Sequence, residues 1–450
     1  MPRRQRRSIT HLNPHNEREM TEPAPIDTCP PPPLAPATRA RGRRLAITSH
    51  PAGMTFWTAY TEHLPTLLLV SLGASEFQIG LQGAFLPGLQ ALQLPTLRMI
   101  ARVRKRTLLV IGQVVALVGG LPLLFLEPLL SFDQATVRII VLASFAWVAA
   151  GLNIGSTVWF PMLRAYMESD KIGQFFGIIR SIWHVALIVY FLIALRWLSL
   201  HPGDFAPLFA GAWLLGVLRV VLVSRMPERS EQTEGKIRVR EAVARVRNDP
   251  RIKRYLLGVT LGAAIRTATI PFTIVMLRRE IGFSDSQILY TTLSYYAGAL
   301  ASLYLWGRIT DRIGAAPVFR MTAIGMSALL LLLLGVDTND SHDLALAMLF
   351  FAGFASLTAG FGVADTQVLF RLAPEDSPAR TLVICGVTTH SLRALAPIVV
   401  GGILDQLLTG SGDRIGIYHG FFLAMAVLQL MAFLPLRGFT RDALRHGAEA

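Results

Sequence analysis

The chain reads as an all-α membrane protein of twelve transmembrane helices, arranged as two six-helix halves related by a parallel repeat. Three observations predict this: apolar residues gathered in long blocks, arginines confined to one side of those blocks, and a helix start that recurs in each half. Of 450 residues, 52% are hydrophobic and 16% charged, with a mean hydropathy of +0.47. A water-soluble domain usually carries about 25% charged residues. The apolar blocks, among them 108–126, 139–160, 178–195, 321–336 and 420–436, have the roughly 20-residue length that crosses a bilayer.

In chain order, residues 1–50 form a basic, proline-rich tail with nine arginines and the run Pro30-Pro-Pro-Pro33. Such a stretch cannot bury a core and is expected to be disordered and cytoplasmic. It lacks the apolar region of a secretory signal. Its basic charge suits acidic lipid headgroups, and a true start at Met20 or Met54 is the alternative. The first half, 51–224, is expected to hold helices at 52–72, 77–97, 107–127, 137–160, 174–196 and 205–224. The cytoplasmic linker 225–253 contains Lys236-Ile-Arg-Val-Arg-Glu-Ala-Val-Ala-Arg-Val-Arg247, which reads either as an amphipathic helix on anionic lipid or as a solvated basic linker. The second half, 254–437, is expected to hold helices at 254–277, 286–306, 318–336, 343–369, 381–404 and 416–436, before a tail at 438–450.

The formal net charge of +14 raises the question of nucleic acid. Position answers it. Arg98, Arg102, Arg104, Lys105 and Arg106 fall between helices 2 and 3, and ten further basic residues lie from Arg225 to Arg254. Arg308, Arg312, Arg320, Arg371 and Arg380 follow on the same side, whereas the opposite gaps hold only Arg138, Arg196, Arg278, Arg279 and Arg414. That is the positive-inside asymmetry, and it puts both termini in the cytoplasm. A nucleic-acid patch would not alternate with apolar blocks. Cys29 and Cys385 offer neither a disulfide framework nor zinc spacing.

The repeat is carried by Gly73-Ala-Ser-Glu-Phe-Gln-Ile79 and Gly282-Phe-Ser-Asp-Ser-Gln-Ile288, offset by 209 residues. In each, a serine stands three residues before a glutamine and opens an apolar helix. That is the spacing of a capping box, in which hydroxyl and side-chain amide satisfy two orphan backbone N–H groups. A weaker pair, 163–170 against 370–377, lies after helices 4 and 10. Two copies in one orientation make a parallel repeat.

Between helices 8 and 9 stands Gly307-Arg-Ile-Thr-Asp-Arg-Ile-Gly314. This segment resembles the loop signature of the major facilitator superfamily, and with the twelve helices the resemblance covers residues 50–440. At the corresponding place in the first half, 98–106 keeps the basic charge but lacks both glycines and the aspartate. Physically, Gly307 suits close helix approach, Asp311 and Arg312 suit a gating latch at a helix end, and Gly314 suits a turn. The resemblance implies alternating access around a central site lined by helices 1, 4, 7 and 10, with contributions from 5 and 11. It implies secondary transport of a small solute, with proton or ion coupling open.

Ionisable residues at mid-membrane are costly and usually functional. Glu62 and His63 lie on helix 1 and Arg266 on helix 7, each on a polar stripe and each followed by a proline, Pro65 or Pro271, so that both helices are expected to kink. Arg180 and His184 on helix 5 occupy nearly the same repeat positions as His390 and Arg393 on helix 11. These six are the candidate substrate or proton pathway. A structural Glu62–Arg266 ion pair and histidine bonds between helices are the alternatives. Asp365 and Arg371 read as interfacial or gating, and Asp405 and Arg414 as surface charges. Helix 5 lacks the glycine–proline pattern that the resemblance associates with drug/proton antiporters. No Walker loop, HExxH or GxSxG motif is present, which argues against ATP drive and against an embedded enzyme. No cofactor or metal site is expected. The expected partners are a small solute and membrane lipid, in a plasma (inner) membrane; a sensor built on a transporter fold is the competing reading.

Overall fold

The computed structural model describes residues 34–100, 102–167, 172–228, 246–372 and 378–439. The tail 1–33, most of the linker's amphipathic stretch and the 440–450 tail lie outside the described residues, as does part of the weaker repeat.

The described chain folds into helices, which we number α1 to α12. In the first half, α1 runs Pro36–Thr61 and continues as His63–Ser71. Next, α2 runs Glu76–Gly88 and, after a 3-10 turn, Gln93–Ile100; α3 starts at Lys105–Gly120. The half ends with α4, Gln134–Arg164, α5, Ile172–Leu200, and α6, Ala206–Ser224. In the second half, α7 is Pro250–Val275, α8 Asp285–Ile313, α9 Ala315–Leu332 and α10 Ser341–Leu372. A single break splits α11 into Pro378–Arg393 and Leu395–Leu408, and α12 is Arg414–Phe433. Among the described residues nine helices are long and apolar enough to cross a membrane. The other three, α1, α2 and α8, are interrupted or carry polar residues, as suits helices at the boundary between halves.

Both recurring starts form the same structure. Gly73 and Gly282 adopt φ of 67° and 84°, a left-handed conformation that favours glycine. Ser75 and Ser284 then close capping boxes with Gln78 and Gln287. At α4, Asp133 caps the helix, and hydrogen bonds from the Thr136 hydroxyl and backbone hold its carboxyl below the ordinary aspartate value.

The N-terminal expectation needs correction. Residues 36–50, expected in a disordered tail, form the first turns of α1. Pro36 pre-sets the opening turn, and Ala46 packs into a cluster with Val158, Trp159, Met162, Tyr166 and Val223. An averaged arginine and proline content hides small residues spaced to face this cluster. The linker's first residues are pinned as well: Arg106 Nη1 donates to the Met226 carbonyl at 3.2 Å, and the Tyr166 hydroxyl donates to that of Pro227.

Close packing within each half uses small residues, as expected between apolar helices in lipid. Gly112 of α3 sits against Gly151 and Gly155 of α4, and Gly298 of α8 against the Ala352 backbone of α10. Gly307 does not serve this purpose: a Cβ there would meet nothing within 4 Å. The halves meet through α2 with α11 and through α5 with α8, pairs that the repeat interchanges.

Candidate functional site

The boundary between halves is built around the interruption in α1. Pro65 has no N–H to give the Thr61 carbonyl, so the helical ladder opens one turn earlier. Glu62 takes φ −112° and ψ −124°, outside the helical region. Gln82 of α2, itself buried, occupies the gap: its Nε2 reaches the freed Thr61 carbonyl at 3.5 Å, and its Oε1 accepts from the Thr66 hydroxyl at 3.3 Å. The break aims Glu62 at the other half, where the Tyr296 hydroxyl of α8 donates to Glu62 Oε2 at 2.5 Å. His63 Nδ1 lies 3.0 Å from the Thr292 hydroxyl, and its ring packs on Tyr295, Tyr296 and Phe351. Pro271 leaves α7 unbroken, and a π turn follows at Met276–Glu280.

Arg266 makes no ion pair with Glu62. Its guanidinium lies 3.8 Å over the Phe361 ring of α10, and Nη1 is buried without a hydrogen-bond partner. Asp365 and Arg393 lie within electrostatic reach, and so does Tyr295, which also interacts with Glu62. Asp365, expected at the interface or in a gate, is instead turned inward, accepting from the Tyr255 hydroxyl at 2.5 Å. His390 stands beside Arg393, and neither His390 Nδ1 nor Arg393 Nε has a partner.

The other two pathway residues sit elsewhere. Arg180 is exposed on α5, and His184 shares a 2.8 Å hydrogen bond with the Arg180 carbonyl of its own helix, not with another helix. The His184 ring stacks on Trp183, which meets His50 edge-on. The six predicted residues thus fall into three groups: Glu62 between the halves; Arg266 and Arg393 around Asp365, with His390 beside Arg393; Arg180 and His184 near His50. Tyr296, Tyr255 and Gln82 join the site without having been expected there. A tyrosine or glutamine in an apolar helix gives no signal until its partner is known.

At the face where α1 passes into α2, the halves are closed. A Cβ on Gly80 would overlap the Pro397 carbonyl, and one on Gly401 would lie 2.5 Å from the Glu76 carbonyl oxygen. Arg279 of the second half pairs with Glu76 at 2.9 Å and also donates to the Ala74 carbonyl. Arg414, expected as a surface charge, is 40% exposed and pairs within the second half with Glu280 at 2.9 Å. On the opposite face, Asp311 and Arg312 are exposed in the last turn of α8, and Gly314 turns the chain at φ 84°.

Residues 255–449 match the family model described as Major Facilitator Superfamily. No protein of curated function matches the chain at significance. Among solved structures, a mutant of the nucleoside transporter NupG is 15% identical with a TM-score of 0.66, covering 88% of this chain and 99% of its own. A POT family transporter in complex with 5-aminolevulinic acid is 14% identical with a TM-score of 0.66, at coverages of 90% and 96%. The D-xylose–proton symporter is 15% identical with a TM-score of 0.65, at coverages of 91% and 98%. At such identities the likeness is one of fold.

Proposed function

We propose that this chain, a membrane transporter of the major facilitator superfamily, is a secondary active carrier of a small polar solute bearing an anionic group. The halves rock around a site between them, exposing it to each side in turn. The observation that carries this reading is the Tyr296–Glu62 hydrogen bond, which joins the halves where α1 is broken. An ionised Glu62 accepts it as a charge-assisted bond; a protonated one becomes an O–H donor that competes for its own partners. Protonation therefore acts directly on a contact between halves. Arg266, stacked on Phe361 with an unfilled N–H, is assigned to the anionic group of the solute. The arginine asymmetry supports cytoplasmic termini and makes the closed face the outer one. The plasma membrane is the proposed location.

Labelled solutes offered to proteoliposomes, with and without an inward-directed proton gradient, test the reading. At least one anionic solute should accumulate above equilibrium only with the gradient. Equal accumulation in both conditions for every transported solute would remove proton coupling.

The packing of Gly401 against α2 allows a second test. A leucine there overpacks only the conformer in which this face is closed, at a cost of about 1–3 kcal/mol. Gly401→Leu should shift the population toward opening of this face by roughly 5- to 150-fold. Spin labels at positions 132 and 340, exposed near this face, should then report longer distances. An unchanged distance distribution defeats the assignment of Gly401 to the closure.

A further inference from the structure

The first half contains a second arginine held against an aromatic ring. Arg219 of α6 is 9% exposed, and its guanidinium lies 4.8 Å over the Trp159 ring of α4. Gly53 of α1 makes the space: a Cβ there would overlap the guanidinium. Gly53 and Gly262 are separated by 209 residues, the repeat offset. A Cβ on Gly262 would lie 3.2 Å from Arg266 Nη1. Each half therefore leaves out a side chain at one position to admit an arginine stacked on a ring from α4 or α10.

The two differ in charge balance. Around Arg266 stands Asp365. Arg219 and Arg180 both lie within electrostatic reach of His50, and among the described residues no carboxylate pairs with either arginine. His50 lies parallel to Trp159 at 5.5 Å and edge-on to Trp183 at 5.7 Å. Three nitrogens of this cluster are buried without partners: Arg219 Nε, His50 Nδ1 and Trp183 Nε1. A buried cation with no counter-charge beside unfilled nitrogens is costly unless something fills it.

We propose that Arg219, with Trp159, His50 and Trp183 around it, forms an oxyanion-binding site inside the first half that takes a carboxylate or phosphate group. The guanidinium supplies the charge and the N–H donors. The tryptophan ring under it fixes its plane, and His50 supplies a further ring nitrogen. The group belongs either to a soluble anion or to an anionic lipid headgroup. This site does not depend on the central transport site.

Trp159 and Trp183 make intrinsic fluorescence of the purified full chain the natural readout. Inorganic phosphate or benzoate should change the emission saturably in detergent if the occupant is soluble. Nanodiscs containing phosphatidylglycerol should change it, relative to phosphatidylcholine alone, if the occupant is a lipid. Arg219→Gln should weaken the response about tenfold or more, as loss of a charge-assisted contact does. Arg266→Gln should leave it intact, which separates this site from the transport site. Should Arg219→Gln fail to fold, Arg219→Lys decides, again with about tenfold weakening expected. No response to phosphate, benzoate or phosphatidylglycerol overturns the proposal. So does an unweakened response in the folded Arg219 variant, or its loss in Arg266→Gln.

Discussion

Glu62→Gln should reduce gradient-driven accumulation to about the equilibrium level while solute exchange across the membrane continues within a few-fold of normal. Glutamine has the same shape and still offers an oxygen to Tyr296, so the 2.5 Å contact between halves is replaced by a neutral one. The difference is of order 1 kcal/mol, too little to unfold a protein held by helix packing throughout both halves. What glutamine cannot do is release and regain a proton. A carrier with that group fixed neutral can still bind solute and reorient, but it can no longer draw on a proton gradient. Glu62→Asp, one methylene shorter, keeps the proton and strains the reach to Tyr296, so it should accumulate solute more slowly. Normal accumulation by Glu62→Gln would move the proton elsewhere, with Asp365 the next carboxyl to test. Loss of exchange and of folded protein together would make Glu62 structural.

Much of the frame was legible because its signals are local. A serine three residues before a glutamine specifies a capping box whatever lies around it, and both copies form one. Gly314 turns the chain because no neighbour is needed to make positive φ favour glycine. Proline is a weaker local signal: α1 breaks at Glu62 before Pro65, whereas α7 runs unbroken through Pro271. Legibility ends where the partner is distant in sequence. The Tyr296–Glu62 bond spans 234 residues and the Tyr255–Asp365 bond 110. Gly307 shows the converse: the glycine fits the family's loop pattern, yet nothing stands close to it. Arg219, near the end of α6, looks in sequence like a charge reaching for the membrane surface. Only the space left by Gly53 turns it inward. The boundary of α1 was missed because tail composition was averaged across residues that pack.

Arg266→Gln should abolish or severely reduce transport while leaving the empty protein at least as stable as the parent. The usual cost of breaking a buried charge pair, about 3–5 kcal/mol, comes from the partner left behind. Here the nearest carboxylate is not left alone. Asp365 keeps Arg393 within electrostatic reach and the Tyr255 hydroxyl as its hydrogen-bond donor, and Glu62 is held by Tyr296. Removing a guanidinium whose Nη1 has no acceptor therefore relieves a desolvation cost and gives up a stack on Phe361 of about 0.5–2 kcal/mol. The melting temperature should stay level or rise. A group that costs stability in the empty protein and is needed for transport is the pattern of a binding residue. Losing two charge-assisted bonds to a solute anion, about 1.5–3 kcal/mol each, predicts a fall of at least 10²-fold in transport efficiency. Arg266→Lys keeps the charge but loses the planar fork, so its apparent affinity should fall about tenfold at normal abundance. Phe361→Leu should weaken affinity in the same direction and by less. The charge swap Glu62→Arg with Arg266→Glu should restore neither activity nor abundance, since the two groups do not pair. A clear drop in melting temperature for Arg266→Gln, with transport per folded molecule unchanged, would make the arginine a structural element and take it out of the site.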